Sequence, residues 1–85
     1  MALKIQYFAS VREALDRAED RIQLPDAVVT VSDLQAHLAQ QDSAFASLCE
    51  SGRQLLVAVN QTIVDDSYQL GADDEVAFFP PMTGG

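Results

Sequence analysis

The clearest chemical signal in the chain is the run Phe79-Pro80-Pro81-Met82-Thr83-Gly84-Gly85. An apolar segment stops at two prolines, and small or flexible residues lead on to a carboxylate. Proline has no N–H for a ladder and holds φ, so Pro80-Pro81 ends a strand and stiffens the exit. Gly84-Gly85 has no Cβ, which lets the last two residues enter a passage too narrow for any side chain. A stiff neck with a bare tip points to the terminal carboxylate as the working group. The plainer alternative is an idle tail, because chain ends usually fray.

The other reactive side chains are isolated. His37 sits three residues after Leu34 at the edge of an apolar stripe, without a second histidine or a Ser or Cys at catalytic spacing. A boundary histidine is expected there rather than a general base. Cys49 has no CxxC partner and no adjacent basic residue to lower its pKa. It reads as a small, partly buried side chain, with a persulfide carrier as the minor alternative. A single cysteine forms no internal disulfide and cannot alone hold zinc or an iron–sulfur cluster. Asp65/Asp66 and Asp73/Asp74 fall in turn-like segments that lack the pattern of a calcium loop. With no phosphate-binding glycine loop and no Ser/His/Asp set, the chain carries no visible machinery for catalysis alone.

The elements that must position the tail follow from periodicity. Leu3, Ile5 and Tyr7 alternate with Lys4, Gln6 and Phe8, which predicts a half-buried strand with Phe8 as the aromatic on its otherwise polar face. Residues 9–15 read as a loop with a short turn, and 16–20 as a solvated connection. Arg21 to Leu24 alternates again and stops at Pro25, as a hairpin partner for the first strand. Thr30, Val31, Asp33, Leu34 and Leu38 predict a helix with an N-cap, a capping-box acid and one apolar stripe. After a break at Asp42-Ser43, Ala44, Phe45 and Leu48 mark a second helical piece ending near Gly52. Leu55 to Val59 is a continuous apolar run, expected as a central strand covered on both faces. Asn60-Gln61 turns the chain into a short strand at Ile63-Val64, and Glu75 to Phe79 forms the last strand. Strand, strand, helix, strand, short strand, strand fits a mixed sheet wrapped around one helix. Right-handed crossover then makes the first and last strands parallel neighbours in the middle. This is an α+β, β-grasp (ubiquitin-like) domain over 1–79, with an extended tail over 80–85.

Composition agrees. Eighty-five residues, 48% of them hydrophobic, make one domain large enough for a core. The formal charge of −8 argues against nucleic acid and anionic membranes and favours a basic partner or simple solubility. No apolar run resembles a signal peptide or a membrane span, so the expected location is cytoplasmic.

One surface constellation accompanies the tail. Val76 and Phe78 share one face of the last strand, and Glu75, Ala77 and Phe79 the other. If the inner faces of the first and last strands coincide, Phe8 and Phe79 lie together on the open side of the sheet as a docking patch. The alternative is that loops or the Ile63 region cover them. Ordering Thr83, Gly84 and Gly85 in a groove costs roughly 3–6 kcal/mol of backbone entropy. Burying two phenylalanines at about 1.5–3 kcal/mol each offsets it. Tail plus patch should bind well where the tail alone binds poorly.

At Tyr7-Phe8-Ala9-Ser10-Val11-Arg12-Glu13, Val57-Ala58-Val59-Asn60-Gln61 and Asp74 through Gly85, the sequence resembles the small subunits of molybdopterin synthase, the sulfur carriers of molybdenum cofactor biosynthesis. The run Phe-Phe-Pro-Pro-x-Thr-Gly-Gly is the specific part; residues 16–29 match least. The resemblance implies that a ubiquitin-activating-enzyme-like adenylyltransferase uses ATP to convert the Gly85 carboxylate to an acyl-adenylate. A sulfur donor then leaves a thiocarboxylate, which donates sulfur to a pterin precursor inside the large synthase subunit. Gly85 would hold the sulfur and Gly84 would give it reach. Phe8, Ile63 and Phe79, with Pro80, Pro81, Met82 and Thr83 of the tail, would contact the partners. The large subunit would form a heterotetramer with this chain, and no cofactor would be bound by the chain itself. Two other classes compete: a ubiquitin-like modifier that forms isopeptide bonds, and an interaction domain with an idle tail. Carriers for thiamine, cysteine or tRNA thiolation share the same chemistry.

Overall fold

In the computed structural model, which describes residues 2–50 and 55–80, the first strand is β1, Leu3–Tyr7. The helix α1, Ala9–Leu15, the strand β2, Glu19–Ile22, and the helices α2, Val31–Gln41, and α3, Ser43–Glu50, follow. Strands β3, Leu56–Val59, β4, Thr62–Val64, and β5, Glu75–Phe79, complete the described elements. The sheet order is β2-β1-β5-β3-β4, with β1 and β5 parallel and the other pairs antiparallel. The expected β-grasp architecture and its central parallel pair are both present.

Period-two alternation explains which side the helices cover. Leu3, Ile5 and Tyr7 of β1, Val57 and Val59 of β3, and Val76 and Phe78 of β5 are buried against Val31, Leu34, Leu38 and Phe45 of the helices. The N-terminus of α2 is the predicted capping box. The Thr30 hydroxyl accepts from the Asp33 N–H at 3.2 Å, and an Asp33 carboxylate oxygen accepts from the Thr30 N–H at 3.1 Å. That oxygen also accepts from the Val29 N–H, and these backbone donors, Val29 first, hold the Asp33 carboxyl below its ordinary range. Asp42 ends α2 and begins the next helix, its Oδ1 accepting from the Ala44 N–H at 2.9 Å.

Several expectations are corrected. Residues 9–15 form a helix rather than a loop, because Val11 and Leu15, one turn apart, both reach the core. Its left-handed end at Asp16, φ 56°, stops it after seven residues. The second strand begins at Glu19 and ends at Ile22, so part of the expected connection is in the sheet; Gln6 pairs with Glu19 and Leu3 with Ile22. The run at β3 lies inside the sheet, but only Val57 and Val59 face the helices; its other face looks onto the open side. Gly52 lies outside the described residues, as do Pro81, Met82, Thr83, Gly84 and Gly85.

Candidate functional site

Phe8 owes its position to two backbone commitments. Its N–H donates to the Phe78 carbonyl at 3.1 Å, extending the β1–β5 ladder one residue past the strand. Its own carbonyl accepts from the N–H groups of Val11 and Arg12, making Phe8 the N-cap of α1. Ala9 turns the corner at φ 52°, a left-handed conformation seldom adopted by a residue with a side chain. The ring is therefore set on the face away from the helices. Gln6 pairs with Ala77 in parallel register, so Phe8 comes beside Phe79, and the rings stack with centroids 4.7 Å apart and planes 5° from parallel.

Ile63 completes the apolar part. It pairs with Ala58 across the β3–β4 hairpin and is 60% exposed, while Phe8 is 39% exposed. The Ile63 region therefore does not cover the aromatic pair. The three side chains instead border one concavity of about 350 Å³ on the open face, floored by Ala58 and Ala77. Its polar rim is made by Gln6, Gln61 and Glu75, the last 4.0 Å from the Lys4 ammonium. The sequence paired Phe8 with Phe79, and the resemblance added Ile63, but Ala58 and Gln61 were left out; alternation along β3 was the available signal for Ala58, hidden by the continuous apolar run.

Asn60 secures the wall of this concavity. Asn60 and Gln61 have φ values of 51° and 70°, as a tight two-residue hairpin turn demands. The Asn60 N–H donates to the Glu75 carbonyl at 2.8 Å, and its Oδ1 accepts from the Glu75 N–H at 3.1 Å. Its Nδ2 donates to Asp74 Oδ1, while Asp74 Oδ2 accepts from the Gly71 N–H. The turn is thus pinned to the start of β5, the strand that leads into the tail.

Below the sheet, the Tyr7 hydroxyl donates to Asp20 Oδ2 at 2.9 Å, and the Arg17 guanidinium lies 5.4 Å from the ring centroid. Arg17 also pairs with Asp20 at 2.6 Å and Asp42 at 2.8 Å. Burial first, and the bond to Asp20 second, push the Tyr7 phenol up, so it stays a neutral donor. The bond from Arg17 holds the Asp42 carboxyl down. These contacts tie β1, β2 and the α2–α3 junction together behind Phe8.

The remaining candidates lie apart from the open face. His37 is half-buried on a shallow groove with Gln41 and Asp42, the boundary position expected of it. Cys49 is exposed rather than partly buried, since α3 turns only Phe45 fully inward; desolvation, then Glu50, raises its thiol. Asp65 accepts from the Ser67 N–H and hydroxyl in a turn. Among the described residues, no three His, Cys, Asp or Glu side chains gather as metal ligands, and no helix is long and apolar enough to cross a membrane. Pro80 follows β5 directly and is half-buried.

Comparison with known proteins matches residues 5–85 to the ThiS family. The chain is 43% identical over 83 residues to the molybdopterin synthase sulfur carrier subunit of Escherichia coli (strain K12), covering 98% of this chain and 99% of that protein. It is 42% identical to the subunit of the same description from Haemophilus influenzae, with the same coverage. Its fold is similar to the crystal structure of SAMP1 from Haloferax volcanii, with a TM-score of 0.80 and 26% identity across 100% of both chains.

Proposed function

This chain belongs to the ThiS family, and on that premise we propose that it is the sulfur carrier subunit of a molybdopterin synthase, acting in molybdenum cofactor biosynthesis. One observation carries the proposal beyond the relatives' description. The strand whose outer face bears Phe79, stacked on the exposed Phe8, is also the strand that leads directly into Pro80 and the Gly84-Gly85 tail. A docking patch so placed aims the tail at whatever protein the patch binds.

The chemistry assigned to Gly85 needs two partners. A carboxylate offers a nucleophile no leaving group, so an adenylating enzyme must first join it to AMP, with pyrophosphate released from ATP. A sulfur donor of the persulfide class then displaces AMP. Cleavage of the new S–S bond by a thiol leaves the thiocarboxylate on Gly85. The large synthase subunit receives the tail, and the thiocarboxylate sulfur passes to the pterin precursor. In both complexes Phe8, Ile63 and Phe79 supply buried apolar contact, and Pro80 and Pro81 limit the entropy that the tail loses on binding. Pro81, Met82 and Thr83 contact the partners along the tail, and Gly84 gives it clearance. The assembly is a heterotetramer in the cytoplasm.

Intact mass spectrometry of the chain isolated from cells with the pathway intact tests this. One oxygen exchanged for one sulfur, mapped to Gly85, is the expected result, and deletion of Gly85 should abolish it with no change in melting temperature. A free carboxylate that persists after incubation with ATP, the adenylating enzyme and a sulfur donor would overturn it. Covalent ladders on target proteins would then favour the modifier reading.

A further inference from the structure

The open face contains a feature that the apolar contacts do not require. Across the sheet one row of side chains reads Gln6, Ala77, Ala58, Ile63: long, short, short, long, on β1, β5, β3 and β4. Gln6 and Ile63 stand three strand spacings apart, about 14 Å. Between them are only two methyl groups, on strands in the middle of the sheet. Alanine is depleted in strands, where β-branched residues fit the pleated surface better. Inside a core, a small residue is explained by a neighbour that fills the space above it. Above Ala58 and Ala77 is the concavity itself. They are 6% and 9% exposed, closely flanked by the larger side chains of the same face, so their smallness is what leaves the concavity open.

Resting on the carrier reading above, we propose that Ala58 and Ala77 form the floor of a specificity slot that receives one apolar side chain of the large subunit, with a Lys or Arg beside it reaching Glu75. The slot is continuous with Phe8, Phe79 and Ile63, so the inserted side chain meets apolar surface at the aromatic stack, at Ile63 and on the alanine floor. At the opposite end the Glu75 carboxylate lies 4.0 Å from the Lys4 ammonium, with both side chains about a third exposed. Its carboxylate keeps acceptor sites for a second cation. A chain of net charge −8 also favours a basic partner surface.

Isothermal titration of the full chain against a molybdopterin synthase large subunit tests the slot, with thermal melting of every variant alongside. Ala77→Leu and Ala58→Leu fill the slot from below while pointing away from the core. Each should weaken binding roughly tenfold to a hundredfold, with a melting temperature close to that of the native chain. Glu75→Lys should weaken binding at low salt and much less at high salt, because it acts on a rim charge. If both leucine variants bind like the native chain while Phe79→Ala binds weakly, the slot is overturned and the docking patch stands. If Phe79→Ala also binds like the native chain, the docking function itself fails. A dimer of the chain alone that Ala77→Leu dissociates would overturn the proposal by making a second copy the occupant.

Discussion

Phe78 and Phe79 are neighbours in one strand with the same side chain, and they have opposite jobs. Phe78 is fully buried, edge-on to Phe45 at 5.3 Å and stacked at 6.2 Å on Tyr7. Phe79 leaves part of its ring on the open face, against the exposed Phe8. The pleat alone makes this division, by turning successive side chains to opposite faces. The contrast extends to the whole sheet: one face is closed by helices and supplies stability, and the other is left uncovered, the surface on which the proposed docking rests. Chemical type does not distinguish an aromatic that folds the chain from one that binds another chain. Position in the register does.

The sharpest way to break this comparison is to truncate both rings. Phe78→Ala should cost about 3–5 kcal/mol of stability, read by urea denaturation, because it opens a cavity among well-packed neighbours. Phe79→Ala should cost under about 1.5 kcal/mol, since much of its contact is with one half-exposed ring, yet weaken large-subunit binding roughly tenfold or more. Equal losses of stability in the two variants would erase the distinction between the faces. Asn60→Ala should be intermediate, at roughly 2 kcal/mol. It removes side-chain bonds to Glu75 and Asp74 and leaves alanine at a positive φ. Thr30→Ala, remote from the open face, should cost about 1 kcal/mol through the lost N-cap and leave binding unchanged.

The smallest expected effect is on acid stability. Asp33, Asp42 and Asp65 all have carboxyls held below their ordinary value of 3.8 in the fold, by backbone donors, Arg17 and Ser67 respectively. Between the folded and unfolded values the unfolded chain binds more protons, so stability rises with pH there. Their contribution is complete above about pH 5 and is lost as pH falls below 3.8 through the depressed folded values. Melting temperatures between about pH 2 and 6 should show this decline, and Arg17→Met should shrink it by releasing Asp42.

Much of this was legible in one dimension because the signals were local. The alternation in β1 and β5 and the capping box at Thr30 and Asp33 each act over a few residues. So does the turn at Asn60-Gln61. The helix α1 was not legible: it is short, starts from a Phe with no side-chain cap, enters through a left-handed alanine and buries only two side chains. Its stability comes from docking Val11 and Leu15 in the core rather than from its own residues. The exposure of Cys49 was misjudged for a related reason, since a helix of mixed small residues does not declare which side faces in.

By itself the sequence determined the alternating faces and the capped helix, because these depend on neighbours along the chain, while the parallel central pair followed from the order of the elements and the handedness of crossovers. The stacking geometry of Phe8 on Phe79, the alanine-floored concavity and the Arg17 bridge depended on tertiary structure. They join residues from β1, the β3–β4 hairpin, β5 and two helix ends, and their geometry is set by strand register, which exists only once the sheet has closed.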